Sequence, residues 1–455
     1  MNIIIAGAGK IGIALLDSLI KEQHNITVID LSEETVNAIN NSYDVISIKG
    51  NSTSFETLSS VNMDKVDVFI ATTNLDEVNL LSCFMAQTLG AKHTVARVRD
   101  EEHNINNFEV LRNKLGISMI INPELYTAKY LYNLIKLPSA TKVETFSSRS
   151  FEMVELLIKE DSPIINVPLF ELRKKFPYNF LICTVLRNGE VVIPDGYFVL
   201  EPGDKIGLLS PFSEMLKILK ALGFEQKAIK DVLIVGASKI AVYLSQLLQN
   251  DKQSVTIIEK DEKRAKEVSE MLYGNADVIF GNGTGQDLLL EHGVKGVDAF
   301  LTLTGKDEEN ILTSVYAKKH NAGKIITKVN KEELAKIAES LGLDCVFAPK
   351  NVVANVIVSY VRALQGSVES KIETLYSIMN GKAEALEFAI NDNFKESNVP
   401  IKDLKIAKDM LIGGIIRNNK CIIPHGNDVI LANDKIIVIT KGQKINDLSD
   451  FINLK

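Results

Sequence analysis

Cysteine is scarce and scattered in this chain. Only Cys83, Cys183, Cys345 and Cys421 occur, with no C-x-x-C spacing, so neither a disulfide framework nor a zinc-ligand set is expected. The histidines form no H-x-x-x-H or H-E-x-x-H pair, which removes the helical metal site of the zinc proteases. No run approaches the roughly 18 apolar residues of a transmembrane helix. The first residues enter an apolar strand directly, without the charged-then-apolar build of a signal peptide. Positive charge is also limited. Lysine and arginine number 51 against 58 acids, a formal net charge of −7, which argues against general affinity for nucleic acid or an anionic membrane. A reduced, cytoplasmic setting is expected, with no metal and no nucleic-acid partner. The remaining composition is that of an ordinary globular protein, 46% hydrophobic and 24% charged over 455 residues, a length that accommodates about two to four domains.

The rest of the chain is organised around its first dozen residues. Met1 to Ile5 is an apolar run, followed by Gly7-Ala8-Gly9-Lys10-Ile11-Gly12 and then the periodic Ile13, Leu15, Leu16, Leu19 and Ile20. A β-branched run, a glycine turn and an amphipathic helix make the first βαβ unit of a dinucleotide-binding fold. Gly7 serves the tight turn, Gly9 lets backbone N–H groups approach a pyrophosphate, and Gly12 allows close helix–sheet packing. The helix N-terminus then offers N–H groups and the positive end of its dipole to phosphates. Asn25 to Ile29 reads as the second strand and ends at Asp30, where an acid grips ribose hydroxyls. Leu31 follows, with no adjacent Arg or Lys, so a free 2′-hydroxyl is expected: NAD(H) or an adenosine nucleotide rather than NADP(H).

Further along, Ser32 to Asn40 is a helix, Asp44 to Ile48 a strand, and Lys49-Gly50-Asn51-Ser52 a polar loop at that strand's carboxyl end, where open α/β sheets bind ligands. Val66 to Ala71 is the fourth strand, and the loop Thr72 to Asn79 opens a helix running to about Leu89. Thr94 to Val98, bearing Arg97, and a stretch near Ile117 to Ile121 complete a doubly wound domain. Leu125 to Leu137 is a helix with apolar residues on several faces, read as an interface helix or a buried core helix. After Pro138-Ser139 the pattern turns strand-rich. Phe151 to Ile158, Leu181 to Leu186, Val191 to Ile193 and Lys205 to Leu209 are strands, with a short helix Leu169 to Lys175, a hairpin turn at Asn188-Gly189 and a helix from Ser213 to Phe224.

Then the chain repeats itself. Asp231 to Gly236 restarts the first strand, and Val255 to Glu259 matches the second. Gly281-Asn282 lies 231 residues beyond Gly50-Asn51, as do Thr304, Asp307, Glu308 and Asn310 beyond Thr73, Asp76, Glu77 and Asn79, and Lys328 beyond Arg97. The small unit returns too, with Ile423-Pro424 for Ile193-Pro194 and Asp434 for Asp204. A two-part module has been duplicated. The second glycine turn reads Gly236-Ala237-Ser238-Lys239-Ile240-Ala241. Alanine in the third position is tolerated, whereas serine in the second crowds a dinucleotide; Glu259 stands where Asp30 does.

Hydride transfer needs a substrate domain with a general acid or base beside the nicotinamide, yet the first Rossmann-like domain is followed by a short β-rich unit and then another such domain. His24, His93 and His103 read as surface or capping residues. Asp76 and Glu77 favour the start of their helix by charge and are expected to add some ligand contact. Arg97 is placed to meet a phosphate or a neighbouring subunit. An NAD(H)-dependent oxidoreductase with a duplicated fold is the enzymatic reading of these residues.

Gly7-x-Gly9-x-x-Gly12 with Asp30, Gly50-Asn51-Ser52-Thr53, Ala71-x-Thr73-x-x-Asp76-Glu77-x-Asn79 and Ala96-Arg97-Val98-Arg99 together resemble the RCK (KTN) domains that regulate potassium flux. The β-rich units resemble the companion C-terminal subdomains, and two copies in one chain resemble the peripheral regulatory subunits of Trk-type potassium uptake systems. The resemblance implies an α/β protein of two Rossmann-like, doubly wound parallel-sheet domains, each followed by a small α+β subdomain. The expected units are 1–137, 138–225, 226–366 and 367–455. It also implies a non-enzymatic sensor of NAD(H), with ATP or ADP as the alternative. The binding residues would be Gly7, Ala8, Gly9, Lys10, Ile11, Gly12, Asp30, Gly50, Asn51, Thr73, Asp76, Glu77 and Arg97, with Gly236, Glu259, Gly281 and Asn282 in the second copy. Four chains would form a tetrameric ring beneath an integral-membrane Trk-type potassium transporter, at the inner face of the cell membrane.

Overall fold

The computed structural model describes residues 1–99, 110, 112–146, 151–224, 227–365, 370–442, 445 and 448–452. Its first sheet contains β1 (Asn2–Ala6), β2 (Asn25–Asp30), β3 (Ile46–Lys49), β4 (Val68–Ala71), β5 (His93–Arg97) and β6 (Met119–Ile121), all parallel, in the order β3-β2-β1-β4-β5-β6. This is the doubly wound order, and its switch point lies between β1 and β4. The near-continuous apolar runs follow from burial on both faces: Ile3, Ile4 and Ile5 of β1 are at most 2% exposed.

After β6, the second unit is an antiparallel sheet of β7 (Ala140–Thr145), β8 (Phe151–Leu157), β9 (Leu181–Arg187), β10 (Glu190–Val192) and β11 (Lys205–Pro211), in the order β10-β9-β11-β8-β7. Asn188 and Gly189 both take positive φ, 51° and 80°, which is what a two-residue hairpin turn requires. The second module repeats the arrangement. A parallel sheet β14-β13-β12-β15-β16-β17 uses β12 (Asp231–Val235), β13 (Ser254–Glu259), β14 (Asp277–Phe280), β15 (Ala299–Thr302), β16 (Lys324–Lys328) and β17 (Cys345–Phe347). An antiparallel sheet β18-β19-β22-β20-β21 follows, from β18 (Ser370–Ile378), β19 (Ala383–Ile390), β20 (Met410–Arg417), β21 (Lys420–Ile422) and β22 (Lys435–Lys441).

Strand β7 has no counterpart in the sequence reading. It begins beside Pro138-Ser139 and carries the polar Thr141, Lys142 and Glu144; pairing with β8 makes it a strand. The helix anticipated at 213–224 is shorter, Met215–Ala221.

The two modules exchange helices. Helix Pro123–Lys136 follows the first parallel sheet, but its Ala128, Leu131, Leu134 and Ile135 share one core with Val232, Ile240, Leu244 and Leu248 of the second. Helix Pro349–Ala363 follows the second sheet and packs Val353, Ile357 and Val361 onto Ile3, Leu15 and Leu19 of the first. The helix left open between interface and core is therefore both. Each buried aliphatic side chain contributes about 1.5–3 kcal/mol, so these apolar seams outweigh the surface ion pairs in holding the halves together. Polar ties reinforce the seams. Lys324 is buried and donates from Nζ to the carbonyl oxygens of Leu137, Pro138 and Ala140 at 3.2, 3.2 and 2.5 Å, receiving the carbonyl end of the exchanged helix; burial lowers its pKa.

The small sheets also meet. Phe151, Met153 and Leu209 share a cluster with Ile378, Ala385, Ile437 and Ile439, and Met379 N–H donates to the buried Glu155 carboxylate at 2.7 Å.

Candidate functional site

Each parallel sheet opens a cleft at its switch point. In the first, Gly7 leaves β1 with φ +94°, and a Cβ there would lie 2.8 Å from the backbone nitrogen of Thr73. A Cβ on Gly12 would lie 2.1 Å from the carbonyl oxygen of Gly7. Both positions therefore require glycine for close approach rather than for general flexibility. Gly9 differs: it is the N-cap of helix Lys10–Lys21, and among the described residues no side chain caps that helix and nothing lies within 4 Å of where its Cβ would be. The cleft thus presents an uncapped helix N-terminus with room above it, the arrangement that receives phosphate. Lys10 is exposed at its edge, whereas Ala8 is buried beneath the turn.

Asp30 ends β2 and faces the turn. Its Oδ2 accepts from Ala8 N–H at 2.8 Å and its Oδ1 from Ser32 N–H at 2.9 Å. The carboxylate is half-buried, so it is held in place yet reachable. Leu31, 70% exposed, offers an apolar surface beside it. Gly50 continues from β3 through an N–H bond to the Asp30 carbonyl, 3.0 Å. Asn51 Oδ1 accepts from Thr53 N–H and its hydroxyl at 3.0 and 2.8 Å, so that carbonyl shapes its own loop.

The far wall is built from Thr73, Asn79 and Arg97, which form one network. The Oδ1 of fully buried Asn79 accepts from Thr73 N–H and its hydroxyl, each at 2.8 Å. Asn79 Nδ2 donates to the carbonyls of Thr73 and Arg97 at 3.1 and 2.9 Å. Arg97 donates from Nη1 to the Thr73 carbonyl at 2.8 Å. Burial lowers the Arg97 pKa, reinforced by the charge of Arg99 and opposed by Glu124 and Asp76. Asp76 sits in the first helical turn and accepts from Arg99 N–H at 2.7 Å, a structural tie; Glu77 beside it is exposed. Asn79 is the hub that reasoning by residue type passed over. Its recurrence as Asn310, which repeats the bonds to Thr304 and to the Lys328 carbonyl, was the available signal.

In the second cleft Gly236 has φ +101°, and Glu259 accepts from Ala237 N–H at 2.7 Å and Asp261 N–H at 3.0 Å, reproducing Asp30. Gly281 N–H bonds to the Glu259 carbonyl at 2.8 Å, and Asn282 shapes its loop through Thr284 at 2.9 and 3.1 Å. Asp307 accepts from Asn330 and Lys331 N–H groups, each at 2.9 Å. The helix exchange sets the clefts side by side: Lys239 Nζ reaches the Arg99 carbonyl of the first module at 3.4 Å. Of the histidines, His93 begins β5 and His24 precedes β2; His103 lies outside the described residues. Among the described residues, no group of three or more His, Cys, Asp or Glu is placed to hold a metal ion, and no helix is long and apolar enough to cross a membrane.

Two open parallel sheets with glycine turns at their switch points, each followed by a small antiparallel sheet, define a protein of two tandem dinucleotide-fold modules. The family model for the TrkA-N domain matches residues 3–123 and 232–349, and that for the TrkA-C domain matches 153–223 and 386–453. The chain belongs to the TrkA family. It is 33% identical over 450 residues to a Trk system potassium uptake protein TrkA homolog of Archaeoglobus fulgidus, covering 99% of both chains. It is 26% identical over 451 residues to the Trk system potassium uptake protein TrkA of Azorhizobium caulinodans, covering 98% of this chain and 97% of the relative. Among solved structures, the GsuK RCK domain superposes with a TM-score of 0.64 at 16% identity, covering 97% of this chain and 92% of that one. The GsuK channel bound to NAD gives 0.64 at 17%, covering 97% and 77%. At such identities the likeness establishes the shared fold.

Proposed function

We propose that the chain is a non-enzymatic regulatory subunit that senses a nucleotide and controls potassium flux through an integral-membrane Trk-type transporter, held at the cytoplasmic face of the membrane by that partner. The observation that carries this reading is the open first cleft in a chain aligned end to end with potassium uptake proteins. NAD(H) is the proposed ligand, with ATP or ADP as the alternative. The nucleotide would bring anionic phosphates and free ribose hydroxyls. Gly7, Ala8, Gly9, Lys10, Ile11 and Gly12 would hold the phosphates, Asp30 the ribose, and Gly50, Asn51, Thr73, Asp76, Glu77 and Arg97 the remaining rim. We take 1–137, 138–225, 226–366 and 367–455 as the functional units, and four chains as the assembled ring.

The control step follows from linkage. A ligand shifts a two-state assembly only by its difference in affinity for the two states, and a 10- to 100-fold shift needs about 1.4–2.8 kcal/mol of difference. In the first cleft Asp30 already holds Ala8 and Ser32 N–H groups. A ribose that competes for this carboxylate loosens the turn, and phosphates at the helix N-terminus tighten it. Helix Lys10–Lys21 then runs to Glu22, which is bound to Arg362 of the exchanged helix, so its displacement reaches the seam between modules.

The test is calorimetric titration of the full chain with NADH, NAD⁺, ATP and ADP, with Asp30→Ala beside it, followed by potassium flux with the membrane partner. Unequal affinities that vanish in Asp30→Ala, together with ligand-dependent flux, are expected. Binding of none of the four would remove the sensor reading, and steady NADH consumption with a small substrate would favour the oxidoreductase.

A further inference from the structure

The duplicated clefts differ in what already fills them. In the first, among the described residues, helix Lys10–Lys21 has no side-chain cap and the space over Gly9 is open. In the second, Ser238 occupies that position, and its hydroxyl accepts from Ala241 N–H at 3.4 Å. One of the N–H groups that a phosphate would use is therefore already paired. Ala241 stands where the first copy has Gly12, at which an added Cβ would lie 2.1 Å from the carbonyl oxygen of Gly7. The helix after β13 adds a further difference. Arg264 stands where the first copy has Thr35, each residue donating its N–H to the N-cap side chain of its helix. Arg264 turns back to the glycine turn, donating from Nε to the Ala237 carbonyl at 3.0 Å while Nη1 meets Glu267 at 3.4 Å. The apolar platform is gone as well: Lys260, paired with Glu309 at 3.7 Å, replaces Leu31.

We infer that the second cleft is closed to dinucleotides by its own side chains, with Ser238 and Arg264 taking the positions a ligand would need, so that each chain takes up one dinucleotide, in the first module. The inference rests on the nucleotide-sensing reading above. Its functional sense is an asymmetric sensor. The second module is held in one shape by residues that cannot dissociate, and the first responds to ligand against that fixed reference. Glu259 is bonded to its turn just as Asp30 is, so the difference between the copies lies in Ser238 and Arg264 rather than in the carboxylate. The second module keeps the architecture of a nucleotide site without its vacancy.

The test is the stoichiometry of NADH binding by calorimetry on the full chain, in the natural sequence, in Asp30→Ala, and in the double variant Ser238→Gly/Arg264→Thr, which restores the first module's residues. One NADH per chain, none in Asp30→Ala, and a second site gained in the double variant are expected. Two sites in the natural chain, or one persisting in Asp30→Ala and lost in Glu259→Ala, would overturn the inference. So would a double variant that is folded by circular dichroism yet gains no site. If the natural chain bound nothing, the sensor reading would fail separately, and the double variant would still have to gain its one site for this inference to stand.

Discussion

Removal of Arg362 should be among the costliest single changes at the seam between the modules. This side chain is 1% exposed and lies between two carboxylates from distant parts of the chain. Nε and Nη2 donate to Glu22 at 2.7 and 2.5 Å, and Nη1 and Nη2 to Glu384 at 2.9 and 3.0 Å. Glu22 caps helix Lys10–Lys21 of the first module and Glu384 lies on β19 of the second small sheet, so one guanidinium ties three elements. Burial by itself would depress the Arg362 pKa, but its bonds to Glu384 and Glu22 raise it. Arg362→Met leaves two carboxylates facing each other without a cation, and breaking a buried pair in this way costs about 3–5 kcal/mol. Arg362→Lys keeps the charge but loses the planar fork and should cost less. The triple change Arg362→Met, Glu22→Gln, Glu384→Gln removes the uncompensated charge and should recover most of the loss. Thermal unfolding gives the global effect, and hydrogen exchange over helix Lys10–Lys21 and β19 gives the local one. An Arg362→Met chain within about 1 kcal/mol of the natural one, or a triple variant no better than the single, would refute the reasoning.

The duplication supplies a contrasting seam. Lys136 there pairs with Asp251 at 3.3 Å, and Glu152, 5% exposed, is left with Thr145 at 3.5 Å; burial pushes its pKa up to about 7, with Thr145 and then Lys136 opposing. A carboxyl raised on folding binds protons more tightly when folded, so stability is lost as pH rises from its ordinary value of 4.5 through about 7. Glu152→Gln should therefore match the natural chain near the low end of that window and exceed it at pH 8 by up to about 3 kcal/mol; melting curves across pH check this, and a pH-independent difference would contradict it. Gly12→Ala should cost about 1–3 kcal/mol by overpacking against the Gly7 carbonyl and weaken NADH binding roughly 10-fold. Unchanged melting and affinity would show that the turn yields more easily than its geometry implies.

The sequence by itself determined the local architecture. Runs buried on both faces specify parallel strands, Gly7 and Gly12 specify a turn that no Cβ fits, and Asp30 ends the second strand at the interval that brings it to Ala8 N–H. The 231-residue recurrence specifies two such modules, and the asymmetry of Ser238 and Ala241 is visible in the residues alone. These are properties of neighbours in the chain, where periodicity and backbone sterics act within a few residues. Only the tertiary structure decided that the modules exchange helices, because an apolar helix face does not state which core will bury it. The same holds for β7, a polar segment made into a strand by its partner, and for Arg362, which pairs with Glu384, 22 positions on, and with Glu22, 340 positions back, a partner recognisable only once the intervening chain has folded. Arg264 is the sharpest case. In sequence it is an ordinary helical arginine; against the Ala237 carbonyl it stands at the glycine turn, because the contact depends on the twist that brings the start of one helix over the end of another strand.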